Sequence, residues 1–225
     1  MSTNVSFYVV HCWCVVDVYD HTYGNILFHV SQQHSRFLEA PVSGSKVPAA
    51  QGVLVFLCAG DESLFAEIKN DGLNAMGKAS HFFGTTVGYG TRAKLVVNSL
   101  MGTMLAAFGE GLALAESVGL DANVMIDVIG QGAIQSPIYS LKGPKMLVKN
   151  HEPNFPLKHA HKDMALASDM AKAAGVEYSV MNAAEKIFRH AREDKELCLE
   201  DEDFSAVFEK IHKESSSDFS RKRMS

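Results

Sequence analysis

The sequence predicts an α/β segment followed by an all-α domain that opens on one long helix. Two observations predict it. A continuous apolar run, Val53 to Ala59 closed by Gly60, has the length and flanks of a buried strand. From Thr91 onward the pattern is helical, with glycine, aspartate and proline standing where helices begin and end. The 225 residues are 47% apolar and 21% charged, which suits a folded chain with a sizeable core. A net charge of −5 and a pI near 6.0 leave no basic face for a general nucleic-acid binder.

Residues 1–35 stand apart. They hold β-branched and aromatic residues with His and Cys, but no Lys or Glu, and strand propensity without clean alternation. No chemistry attaches to them. The apolar stretch from Val5 to Val18 follows no Lys or Arg, unlike a secretory signal, and is too short to cross a bilayer. The uncharged stretch Leu95 to Gly109 contains Asn98, Ser99 and Thr103 and reads as a buried helix. The expectation is a soluble intracellular protein, cytoplasmic or organellar, with no membrane partner. Cys12, Cys14, Cys58 and Cys198 form no C-x-x-C pair, so reduced thiols are expected and no metal site.

The elements follow in order. Ala40 to Gly44 reads as a strand end and turn, Val53 to Ala59 as a strand, Asp61 as the start of a short helix, and His81 to Phe83 as a second short strand. Thr91 to Val118 forms one helix, about 42 Å long. Its small residues Gly102, Ala106, Gly109 and Ala113 recur every three or four positions, a smooth stripe for close packing against another helix. Gly119 ends it. Asp121 caps a helix through Ile129, stopped by Gly130 and Gly132; Pro156 to Ala174 and Ser179 to Arg192 follow, and Asp203 to His212 is the last. The acidic run Glu193 to Asp203 reads as a solvated loop, and residues 213–225 as a frayed tail.

Three segments carry chemistry. In Glu39-Ala-Pro-Val-Ser-Gly-Ser45, a Ser hydroxyl and turn N–H groups can hold a carboxylate; the segment alone also reads as a plain turn. In Gly88-Tyr-Gly-Thr-Arg-Ala-Lys-Leu-Val-Val-Asn98, Lys94 and Asn98 share one helix face. A lysine at the edge of an apolar wall is desolvated toward a pKa useful for proton transfer; spacing alone leaves open a lysine that snorkels at a helix end. In Phe155-Pro-Leu-Lys-His-Ala-His-Lys-Asp163, two lysines and two histidines crowd a helix start, which suggests an anionic partner. His159 and His161 do not share a helical face, so they are not a metal pair.

These segments, in this order, resemble the β-hydroxyacid dehydrogenase family, which includes 3-hydroxyisobutyrate and 6-phosphogluconate dehydrogenases. The phrases Phe37 to Ser45, Tyr139 to Pro144, Phe155 to His159 and Asp203 to Val207 are similar to the plant-type glyoxylate/succinic semialdehyde reductase branch. The resemblance covers residues 36–212. It implies an incomplete NAD(P)-binding Rossmann domain over 36–90, the C-terminal part of its sheet, and a helical 6-phosphogluconate-dehydrogenase-like domain over 91–212. It implies reduction of a small carboxylate-bearing aldehyde or keto acid with NADPH, or NAD(H) as the alternative cofactor. Lys94 would be the catalytic acid. Ser43, Gly44 and Asn98 would bind substrate. Lys162, Asp163 and Phe155 would line the cofactor side. No metal is implied.

One departure matters. The family's dinucleotide fingerprint, G-x-G-x-x-G, does not occur before Pro41, and Gly84 to Gly90 is Gly-rich in the wrong place. The expectation is an N-terminally truncated member with weak NADPH affinity and little reductase activity on its own. The alternative is a non-catalytic helical module that forms homo-oligomers through its helical domain. A nuclear, chromatin-associated branch of the family has drifted from the catalytic lysine, whereas Lys94 is present here.

Overall fold

A computed structural model describes Val10–His11 and residues 36–223, with side chains over 36–215. Cys12, Cys14 and the apolar stretch from Val5 to Val18 fall outside the described residues, save that last pair. The chain divides into two compact units, Met1–Val96 and Val97–Ser225.

In the first unit, β4 (Leu54–Gly60) is central. β2 (Leu38–Glu39) and β3 (Val42–Ser43) run antiparallel along one edge of it, with Leu38 opposite Gly60 and Val42 opposite Phe56. Pro41 lacks an N–H, but its carbonyl still accepts from Leu57 N at 2.8 Å, which carries the pairing across the break. β1 (Val10–His11) pairs parallel with β2. On the other edge lies β5 (Gly77–Phe82), parallel to β4. Parallel neighbours need a crossover, supplied by α2 (Glu62–Ile68) and a π-turn at Lys69–Leu73; a short α1 (Lys46–Ala50) precedes β4. The Asp61 side chain caps α2 by accepting from Leu64 N at 2.8 Å. Leu38, Ala40, Phe56, Cys58, Leu64, Phe65 and Leu73 form this unit's core. β5 starts at Gly77, earlier than the expected strand at His81, because pairing with β4 overrides the weak strand propensity of Gly77 to Ser80.

α3 (Tyr89–Ser117) is the long helix, and Gly119 leaves it at φ +82°. By length and composition it is apolar enough to cross a membrane, yet half of its most apolar window is buried inside the fold, as in a core helix. In the second unit its small residues face other helices. A Cβ on Gly102 would lie 2.5 Å from Met164 Sδ, and one on Gly109 would lie 3.0 Å from Ile211 Cδ1. The following helices are α4 (Ala122–Gln131), α5 (Pro137–Leu147), α6 (Leu157–Ala173), α7 (Ser179–Glu193) and α8 (Val207–Arg223), the last preceded by a 3-10 turn at Phe204–Ala206.

Four expectations need correction. Gly130 lies inside α4, and the helix stops at Gly132. α5 was not foreseen, because Pro144 stands within it; Pro137 at its first turn favours it, and it buries Lys142, Gly143 and Met146. α8 runs to Arg223, past the point where fraying was expected. The acidic run is not simply solvated. Asp203 is 1% exposed and bound to Lys142, and Asp194 is held by Lys210 and Lys213 at 3.0 Å each.

Candidate functional site

In the first unit, the strand segment Glu39 to Ser43 meets the start of α3. Glu39 is 3% exposed. Its Oε1 accepts from Gly88 N at 2.5 Å and Gly90 N at 2.9 Å, and its Oε2 from Thr91 N at 3.3 Å and Thr91 Oγ1 at 2.9 Å. These are the amides a helix start leaves unpaired, and a carboxylate also complements the helix dipole there. The glycines of Gly84 to Gly90 therefore do not form an open phosphate cradle; three amides at this turn are committed to Glu39. Gly90 has no room for a side chain, since a Cβ would strike Leu57 O and lie 3.2 Å from Glu39 Cδ.

One turn into α3, half-buried Lys94 donates from Nζ to Val42 O at 2.5 Å. The ammonium thus stands at the residue before Ser43 and Gly44. Gly44 has φ +137°, a backbone angle that selects glycine. The structure brings Lys94 to the strand that carries the two expected carboxylate binders.

In the second unit, Asn98 is buried and donates from Nδ2 to Asp163 Oδ2 at 2.6 Å. Asp163 is 3% exposed; its Oδ1 has no hydrogen-bond partner, and Lys162 Nζ lies 3.4 Å from it. Asn98, Lys162 and Asp163 therefore form one cluster. Next to Asn98, Ser99 shares a hydrogen bond of 2.7 Å with the Tyr178 hydroxyl. Phe155 is placed differently. Its ring packs edge-on against Phe204, 5.6 Å between centroids, and its N–H donates to Asp203 Oδ2 at 3.3 Å.

The cationic helix start is largely paired within the protein. Lys158 binds Asp201, and His161 Nε2 lies 2.9 Å from Glu185 Oε1. Burial, with Lys162 and Lys158 nearby, holds the His159 pKa below its ordinary value, so this histidine resists adding to the positive charge. No group of three or more metal-ligating side chains occurs among the described residues.

Residues 88–211 match the family model described as "NAD-binding of NADP-dependent 3-hydroxyisobutyrate dehydrogenase", more than half of the chain. The chain belongs to the 3-hydroxyisobutyrate dehydrogenase family. Residues 22–90 match a second model, the "NAD binding domain of 6-phosphogluconate dehydrogenase", which begins within the stretch that the sequence left unassigned. Glyoxylate/succinic semialdehyde reductase 2, chloroplastic, from Arabidopsis thaliana is 49% identical over 175 residues, covering 78% of this chain and 48% of that protein. Glyoxylate/succinic semialdehyde reductase 1 from the same plant is 43% identical over 182 residues, covering 81% and 61%. Among solved structures, 3-hydroxyisobutyrate dehydrogenase from Salmonella typhimurium superposes with a TM-score of 0.73 at 29% identity, covering 82% of this chain and 64% of that one. The chain spans about half to three-fifths of the length of the curated relatives it matches.

Two residues of this region escaped the sequence reading. Glu39 sits inside a recognised motif, but nothing in one dimension shows that it binds amides some fifty positions away. Lys142 lies beside Gly143-Pro144, in a segment that Pro144 kept from reading as a helix.

Proposed function

We propose that the chain is a reductase of a small carboxylate-bearing aldehyde or keto acid, of glyoxylate or succinic semialdehyde size, working with NADPH. The observation that carries this is the Lys94–Val42 hydrogen bond, which sets the proton donor against the strand end bearing Ser43 and Gly44. The Ser43 hydroxyl and the Gly44 backbone would hold the substrate carboxylate. The Lys94 ammonium would face the carbonyl oxygen, stabilise the negative charge that develops there and then donate its proton. Asn98, oriented by its hydrogen bond to Asp163, would be a substrate-binding residue of the second unit.

NADPH, when bound, supplies the hydride. Lys162, with a part-exposed ammonium, and Asp163, with a buried oxygen without a hydrogen-bond partner, would line the cofactor side. Phe155, whose ring packs edge-on against Phe204, would line the cofactor side as the family resemblance implies. With the amides of Gly88, Gly90 and Thr91 committed to Glu39, this turn does not supply the pyrophosphate site.

We also infer that the chain self-associates through its helical unit. Val97, Leu100, Met104 and Leu114 recur at three- and four-residue spacings or their sums along α3, and each is more than a third exposed. A soluble cytoplasmic or organellar setting suits this reading.

The deciding experiment measures glyoxylate-dependent NADPH oxidation by the purified chain, beside NADPH fluorescence titration and sedimentation. Turnover that Lys94→Ala abolishes supports the reaction. Turnover that survives Lys94→Ala overturns the role of Lys94. Tight self-association without NADPH binding favours the non-catalytic helical module instead.

A further inference from the structure

We propose that Glu39 is a positioning residue: its buried carboxylate seats the first turn of α3 against β2 and β3, and thereby sets where the Lys94 ammonium stands relative to Ser43 and Gly44. This rests on the roles proposed above for Lys94, Ser43 and Gly44.

The chain enters α3 through Gly84 and Gly88, whose φ of +115° and +102° suits glycine. Gly84 O accepts from Gly60 N at 3.0 Å, which ties the entry turn to β4. Glu39 holds the first turn of the helix itself. Its two oxygens take three consecutive-turn amides and the Thr91 hydroxyl, and the missing Cβ of Gly90 lets the helix backbone close onto the strand. A carboxylate this deeply buried is stable only while such donors surround it, so the contact is held from both sides.

Lys94 lies one turn further on. Its side chain has four rotatable bonds, and its ammonium is localised only if its Cα is fixed first. Strand residues three apart, Glu39 and Val42, hold helix residues three apart, Thr91 and Lys94: the first pair by carboxylate to amide, the second by carbonyl to ammonium. Both Glu39 oxygens face the helix start, so Glu39 acts through Lys94 and not on substrate.

The test uses the whole chain carrying Glu39→Gln, Glu39→Asp or Thr91→Ala. Glutamine keeps the size but turns an NH2 toward N–H donors. Aspartate keeps the charge one methylene short. Thr91→Ala removes the hydroxyl that donates to Glu39 and guards against a Glu39 variant that fails to fold. Acylation of each lysine amine by acetic anhydride is followed by peptide mass spectrometry, with Lys145, Lys158 and Lys172 of the second unit as internal standards.

In Glu39→Gln the Lys94 acylation rate should rise roughly tenfold against those standards as its fixed geometry is lost, and in Glu39→Asp by a smaller factor. In Thr91→Ala a rise of about twofold is expected for one lost hydrogen bond. An unchanged Lys94 rate in every folded variant, or an equal rise at all lysines, overturns the proposal. A Lys94-specific rise supports positioning even if Lys94→Ala proves silent in glyoxylate reduction; in that case the reaction assigned to Lys94 falls and the clamp stands. Where turnover is measurable, kcat should drop in Glu39→Gln and recover partly in Glu39→Asp, with KM little changed.

Discussion

Lys142 and Asp203 form an ion pair almost withdrawn from water: Nζ lies 2.7 and 2.8 Å from the two carboxylate oxygens, and the side chains are 4% and 2% exposed. Asp203 also accepts the N–H groups of Asn154, Phe155 and Ser205, and the Lys142 ammonium sits 5.1 Å over the Phe204 ring. One carboxylate therefore ties α5, the segment leading into α6 and the 3-10 turn before α8.

Removing either partner strands a buried charge. Asp203→Ala or Lys142→Met should each cost about 3–5 kcal/mol in urea unfolding of the second unit. The double change Lys142→Met with Asp203→Leu should cost less than the sum of the two, because no lone charge remains. Full additivity would show that the pair does not couple.

Acid should reach this unit late. Burial pushes the Asp203 pKa up, but hydrogen bonds from Lys142 and Asn154 N and the Lys142 charge outweigh it, and the net shift is downward. Asp194 is held far below the usual carboxylate range by Lys210, then Lys213. A depressed folded pKa stabilises the protein fully above the unfolded value and is lost as pH falls through the folded one. In melts across pH, Asp194→Asn should be less stable than the unmodified chain at neutral pH. The gap should narrow only below about pH 4, the unfolded carboxylate range. A gap that already closes near the histidine range would sink this assignment.

What the sequence disclosed and what it hid divide along physical lines. β4 and α3 were legible because their signals are local: an unbroken apolar run, and small residues at helical spacing, of which Gly102 and Gly109 do face Met164 and Ile211. Asp61 and Asp121 were legible as caps for the same reason, each accepting from an amide two or three residues on. Asp203 was not, because it closes a run of carboxylates whose average reads as solvated, and only its partner sixty-one positions away reveals it as buried. Of the candidate site, residue types and spacing marked Lys94 and Asn98; the partners that orient them, Val42 O and Asp163 Oδ2, are properties of the folded chain.

The two described cysteines should separate by reactivity. Burial, aided by the Glu39 charge, pushes the Cys58 thiol up to about 12, while Cys198 is exposed. With almost no thiolate at mildly alkaline pH, Cys58 should alkylate roughly a thousandfold more slowly than Cys198 in the folded chain. Both should react alike in urea. Iodoacetamide labelling followed by peptide mass spectrometry reads this directly, and matched rates in the folded state would count against a closed core around Cys58.

The exposed stripe on α3 makes a prediction about assembly. Leu100 and Leu114 are 45% and 64% exposed, so Leu100→Glu with Leu114→Glu should leave the melting temperature within a few degrees. Sedimentation velocity should shift toward the monomer. An unchanged distribution would remove this face from the interface.

Asn98 and Asp163 offer a test that separates structure from chemistry. Asn98→Ala deprives Asp163 of its 2.6 Å donor, and the other oxygen already lacks a hydrogen bond, with Lys162 at 3.4 Å as a nearby cation. A buried acceptor left without a partner costs about 1–3 kcal/mol, whereas removing both partners of a pair is close to neutral. Asn98→Ala should therefore destabilise the second unit by that amount, and Asn98→Ala with Asp163→Ala should be no less stable than the single change. If Asn98 also binds substrate, KM for glyoxylate rises in both variants alike, since stability recovers in the double variant but the missing amide does not. A double variant that pays the full sum of two single losses would show that Asp163 is held by contacts other than Asn98.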